Sequence, residues 1–200
     1  MGKWALKGKP ALIIIHMQCG VLDKDGKFAS QGLPKIVEES GIVARQQALL
    51  EGFRNKNLPV IFIAAVIPNS AVFPSYGNFW NAMEVMRPNL PGSKDIEVIP
   101  ELSPLQGESI IENWPIGGFS NTSLEQILKN HDIETVVLAG IATEHAVLAT
   151  TFQAGELGYT VIVPNDVCIS ANKISYDVVM NEILPNLCLT TTTEDLLAHI

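Results

Sequence analysis

Residues 11–16 read ALIIIH: five apolar residues, three of them isoleucine, closed by a histidine. A strand that is apolar at every position, not at alternate ones, must be covered on both faces, and β-branched side chains suit a pleated backbone. The same pattern recurs at 59–67 (PVIFIAAVI), 135–141 (TVVLAGI) and 160–164 (TVIVP), with a weaker form at 109–113 (SIIEN) and a late one at 188–192 (CLTTT). Amphipathic stretches lie between them. Pro34–Asn57 reads as a helix bent or broken near Gly41, with Ile36, Val43, Leu50 and Phe53 on one stripe. Ser123–Asn130 reads as a helix capped by Thr122 or Ser123, and Thr143–Leu157, Ile174–Leu184 and Thr193–Ile200 as further helices. Buried strands alternating with helices form a parallel sheet, and right-handed crossovers place helices on both of its faces. The expected fold is α/β: a Rossmann-like, three-layer α/β/α arrangement around a parallel sheet of roughly six strands.

The chain of 200 residues has the size of one domain spanning 1–200. With 47% hydrophobic and 17% charged residues it has a core to bury and is not a disordered segment. Acidic residues outnumber basic ones 21 to 13, for a net charge of −8, which argues against nucleic acid and anionic membrane as partners. The apolar runs are too short for a membrane span, and the first ten residues, MGKWALKGKP, lack the apolar stretch of a secretory signal. Cys19, Cys168 and Cys188 are odd in number and far apart, as expected of a cytoplasmic protein rather than a disulfide framework. Residues 68–107 interrupt the alternation with six prolines and with Phe73, Tyr76, Phe79 and Trp80. A loop of this length with aromatics to bury is expected to be a lid over a pocket or a contact between subunits.

Ligands of such sheets sit beyond the carboxyl ends of the strands. That singles out His16–Cys19, Ile67–Asn69, Asn113–Trp114, Gly140–Ala146 and Asn165–Asp166. In these places the sequence resembles the isochorismatase-like cysteine hydrolases. ALIIIHMQ is similar to their opening apolar strand followed by Asp-Met-Gln. IPELSPLQGESIIENWPIGGFSNTSLEQIL is similar to their central stretch, and GIATEHAVLATTFQAGELGYTVIVPNDVCIS to their nucleophile elbow and next strand. The motifs stand in family order from Pro10 to Ser170. The resemblance implies an Asp, a Lys and a Cys, the thiolate attacking a carbonyl or nitrile carbon while elbow amides hold the oxyanion. It also implies a cis peptide at Ile141–Ala142 and a dimer or tetramer.

On that resemblance the three positions fall on His16, Asn113 and Ala146. Alanine is no nucleophile, so a thioester route through it is closed. His16 is open to two readings, a general acid or base and a hydrogen-bonded packing residue. His145 neighbours the nucleophile position. Ala142, His145, Trp114, Phe119 and Gln18 are the expected substrate-binding residues, although Trp114 and Phe119 also suit the core and Gln18 also suits bonds to loop backbone. Cys19, Cys168 and Cys188 read as buried and inert. Nicotinamidase-type relatives carry a zinc motif after the second strand. The corresponding IPNSAVFPSYGNF has neither His nor Asp, so neither metal nor cofactor is expected. Two functions follow: a divergent hydrolase acting on a small molecule without a cysteine, with His16 supplying a proton, or a non-catalytic pseudoenzyme binding a ligand or partner in the old pocket. A retained cavity with converging polar groups favours the first, a pocket filled by apolar side chains the second.

Overall fold

The computed structural model describes residues 4–114 and 116–200. In chain order they form β1 (Lys9–Ile15), α1 (Cys19–Leu22), α2 (Leu33–Ser40), α3 (Ile42–Asn55), β2 (Val60–Ala65), α4 (Asn78–Met86), β3 (Ser109–Asn113), α5 (Leu124–Asn130) and β4 (Ile133–Ile141). Then come a π-helical turn (Thr143–Val147), α6 (Leu148–Glu156), β5 (Thr160–Pro164), β6 (Cys168–Ile169), α7 (Lys173–Val178), β7 (Leu189–Thr191) and α8 (Thr193–Leu197). The sheet has seven strands in the order β3-β2-β1-β4-β5-β7, with β6 also on β4. Every ladder is parallel. The seventh strand, β6, covers only two residues and pairs Gly140 and Ile141 beyond the point where β5 leaves β4. Two residues show no periodicity, which is why the sequence suggested roughly six.

Strand β1 explains the layering. Leu12 and Ile14 point into one cluster with Phe62, Val137, Leu49 and Phe53 of α3, and Leu196 of α8. Ala11, Ile13 and Ile15 point into the other, with Ile61, Val136, Leu124 of α5 and Ala154 of α6. Every residue from Ala11 to Ile15 is at most 1% exposed, so no position of the run faces water. Burying each leucine or isoleucine of the run contributes about 1.5–3 kcal/mol, and both faces of one strand therefore stabilise two separate layers.

The helix expected over Pro34–Asn57 is two helices. Gly41, at φ 66, ends α2 and opens α3 in a left-handed conformation that favours glycine. The break resets the helical phase, and the expected stripe is corrected accordingly. Leu50 and Phe53 are buried, whereas Ile36 and Val43 only border the core, and α3 buries Ile42, Gln46 and Leu49 instead. The interruption at 68–107 is not one irregular loop: it contains α4, whose apolar residues pack with Ile67 and Phe73. Phe73 is buried, Phe79 and Trp80 pack beside it, and Tyr76 alone of the four rings stands exposed. Among the described residues no helix is long and apolar enough to cross a membrane.

Candidate active site

A cavity of about 400 Å³ opens beyond the carboxyl ends of β1, β2 and β4, under α4. That volume suits a ligand of one or two rings. Its floor comes from His16, Ala142 and Ala146, and its roof from Phe79, Ala82 and Met83 of α4.

His16 leaves β1 in a left-handed conformation, φ 53, while its backbone N–H donates to Ile63 O at 2.9 Å. Histidine tolerates this region better than most residues. The turn takes the imidazole out of the strand's alternation and toward β3, where Nε2 lies 3.0 Å from Asn113 Oδ1. Asn113 is itself oriented: its Nδ2 donates to Ile116 O at 3.4 Å and Gly117 O at 3.3 Å. With the amide nitrogen facing two carbonyls, the oxygen faces the imidazole, and Nε2 must carry the hydrogen. Nδ1 is left as the acceptor. Burial pushes the His16 pKa down to about 4, against a smaller upward pull from the Asn113 hydrogen bond. The ring is neutral at neutral pH.

The second wall is the elbow after β4. Gly140 has φ 131, and a Cβ there would lie 2.1 Å from Ile15 O, so only glycine lets β4 approach β1 at this level. The Ile141–Ala142 peptide is cis, as the resemblance implied. Beyond it Val147 N donates five residues back to Ala142 O at 3.2 Å, the bond of a π turn, a feature frequent at functional sites. His145 projects from this turn and stacks on Phe79 at 4.7 Å between ring centroids, tying α4 to the elbow. Glu144 also lines the cavity. Its Oε1 accepts from Ser170 Oγ at 2.8 Å and lies 3.7 Å from His145 Nδ1; its buried Oε2 has no partner. Trp114 completes the side wall, edge-on to Phe73 at 5.2 Å and to Trp80 at 5.9 Å.

The structure thus brings His16, Ala142, His145, Ala146 and Trp114 to one cavity, with Asn113 behind His16. It places two expected binding residues elsewhere. Gln18 is fully buried with its amide spent on backbone, donating to Ala65 O and Ile96 O and accepting from Ala65 N at 2.7 Å. Phe119 packs against the core beneath α6 and stacks on Tyr159, 6.0 Å away. Sequence reasoning missed Glu144 and Asn89. Glu144 fell within the stretch 140–146 and was its only acidic residue, a usable signal. Asn89, buried in the cavity wall with Oδ1 unpartnered, sits among prolines with nothing to mark it. No cysteine lines the cavity among the described residues. Cys168 donates to Leu138 O and Cys188 to Leu184 O, and burial pushes both thiols up to about 12. Burial, with Asp23 nearby, also raises Cys19. Groups of three or more potential metal-binding side chains are absent among the described residues.

Residues 10–195 match the isochorismatase domain, and the chain belongs to the isochorismatase family. It is 28% identical to the uncharacterized isochorismatase family protein YecD of Escherichia coli O157:H7, covering 94% of both chains. With ureidoacrylate amidohydrolase RutB of Klebsiella pneumoniae it shares 32% identity over 78% of this chain and 71% of that one. The fold matches that of a cysteine hydrolase from Pseudomonas syringae pv. phaseolicola 1448A, with a TM-score of 0.80, 21% identity and coverage of 98% and 95%.

Proposed function

We propose that this protein is a hydrolase of a small molecule whose reaction runs without a cysteine nucleophile, His16 acting as the base. The observation that carries this is the imidazole at the cavity floor, neutral and with Nε2–H committed to Asn113 Oδ1. Its Nδ1 is free to accept a proton. Retention of the cavity, with His16 and the elbow at its floor, favours catalysis over the pseudoenzyme reading.

In this reading the role of His16 shifts from acid to base, because a group with a pKa of about 4 holds almost no proton to donate at neutral pH. Nδ1 takes a proton from water as the water oxygen bonds to the substrate's electrophilic carbon. The charge that develops on the substrate oxygen is met by backbone amides of the elbow. The imidazolium keeps its Nε2–H bond to Asn113 Oδ1, then returns the Nδ1 proton to the leaving group as the bond to carbon breaks. Asn113 is a positioning residue: it fixes the tautomer. Ala146, where the resemblance places the nucleophile, leaves room for water.

The test is hydrolysis of an amide and ester library by the wild type, His16→Gln and Ala146→Cys proteins. Turnover that falls at least a hundredfold in His16→Gln supports the reading. Equal rates in wild type and His16→Gln, or no turnover with any substrate, count against it.

A further inference from the structure

The lining of the cavity contains neither lysine nor arginine among the described residues. Its carboxylate is Glu144, and its His16 is neutral. Arg87, in the same segment as the roof, is turned away: its guanidinium sits 5.1 Å from the Phe73 ring centroid and donates to Asn69 O and Ala71 O. Two lining residues hold buried acceptor atoms with no donor, Glu144 Oε2 and Asn89 Oδ1. Both atoms are closed off from the open space of the cavity, Asn89 Oδ1 backing onto Gly20, so Glu144 acts on a ligand through its charge and not through a direct bond at Oε2. The remaining walls are mostly aromatic or aliphatic, with Phe79 and Trp114 offering ring faces and edges, and the uncharged amides of Gln31 and Asn78 also reach the lining.

We infer that the cavity selects molecules with an apolar, ring-sized body and a cationic group, and rejects carboxylates. Resting on the proposal that this cavity is the active site, the inference names the substrate class. An incoming carboxylate would meet Glu144 with no fixed cation to offset it, in a confined space where like charges repel strongly. An ammonium group would instead bring the opposite charge to the Glu144 wall. His145, stacked on Phe79 and 3.7 Å from Glu144, braces that wall.

Three probes of similar shape separate the possibilities at pH 7: benzylamine as cation, benzamide as neutral donor and benzoate as anion. Titration calorimetry on the wild type should give benzylamine an affinity at least tenfold above benzoate, with benzamide between them. In Glu144→Gln that gap should shrink about tenfold, while benzamide changes less than threefold. Benzoate binding as tightly as benzylamine overturns the inference, as does a gap unaltered in Glu144→Gln, or failure of all three probes to bind. The comparison within the wild type needs no variant to fold. Binding is read without turnover, so selectivity that persists in a protein with no hydrolytic activity preserves this inference and removes the hydrolase reading. Rapid hydrolysis of a carboxylate substrate does the opposite.

Discussion

His16 Nε2 and Asn113 Oδ1 lie 3.0 Å apart, and because the Asn113 amide nitrogen is held by the carbonyls of Ile116 and Gly117, the pair can form in one sense only. Burial of this imidazole, only partly offset by its bond to Asn113, makes folding sensitive to acid. The His16 pKa falls from 6.5 to about 4 on folding, so the unfolded chain binds the proton first as pH drops. Stability is fully present above pH 6.5 and is lost progressively down to about 4, on the order of 3 kcal/mol in all. Urea titrations between pH 7 and 4 should show this loss in the wild type and a distinctly smaller one in His16→Gln. Identical slopes in the two proteins would contradict a buried, neutral His16. Asn113→Asp should raise the His16 pKa, as seen by NMR, because a carboxylate favours the imidazolium.

Gly140 sets how closely β4 meets β1 next to that histidine. Gly140→Ala puts a methyl 2.1 Å from Ile15 O, against backbone that cannot yield, at a φ of 131. A loss of stability on the order of 3 kcal/mol is expected. By contrast Gly155, on α6, has open space around its Cβ position, and Gly155→Ala should stabilise by up to about 1 kcal/mol. Thermal melts of both variants check the contrast.

Arg54 at the end of α3 grips Glu108 with two parallel hydrogen bonds, Nε to Oε1 at 2.7 Å and Nη2 to Oε2 at 2.8 Å, both side chains mostly buried. Glu108 Oε2 also accepts from Leu105 N at 2.8 Å, closing the turn into β3 and hence the approach to Asn113. Bidentate, partly desolvated pairs are stronger than surface ones. Arg54→Ala or Glu108→Ala should cost about 2 kcal/mol, and the double variant less than the sum of the two, because each single change strands the other partner. Lys24–Glu38, at 3.8 Å with both side chains largely exposed, is the control: Lys24→Ala should change the denaturation midpoint by no more than experimental error.

The strands were legible because of their burial. Ala11–Ile15 is apolar at every position, and only a sheet covered on both faces accommodates that. Elements lacking such a pattern were not: β6 has two residues, and α4 is hidden in a proline-rich segment where its register follows from packing on Phe73. The site divides in the same way. His16, Trp114 and His145 follow from strand ends, which topology locates. Gln18 sits beside His16 in sequence yet turns from the cavity, since the backbone groups of Ala65 and Ile96 claim its amide. Which of Glu144 and His145 would be tucked under Ser170 depends on the π turn, whose extra residue shifts every side chain that follows. Spacing rules built on ordinary helices miss such a shift.

The cysteines provide the last test, since they check the proposed cysteine-free reaction without knowledge of the substrate. Cys19 and Cys168 are buried and Cys188 half-buried, and all three thiols titrate above their ordinary value, two of them at about 12. A thiol reacts as its thiolate, so at pH 8 the reactive fraction of Cys168 or Cys188 is on the order of one in ten thousand. Iodoacetamide applied to the folded protein at that pH should leave Cys168 and Cys188 unmodified for hours, while urea should expose all three to rapid alkylation. Cys19, whose rise is smaller and which lies near Lys94, should be the first to react if any does. The replacement Cys19→Ser, Cys168→Ala, Cys188→Ala should bind benzylamine as tightly as the wild type, within about threefold, because none of the three lines the cavity. Rapid alkylation of one cysteine in the folded state, blocked by a cavity ligand, would place a thiol at the site and overturn the cysteine-free reading.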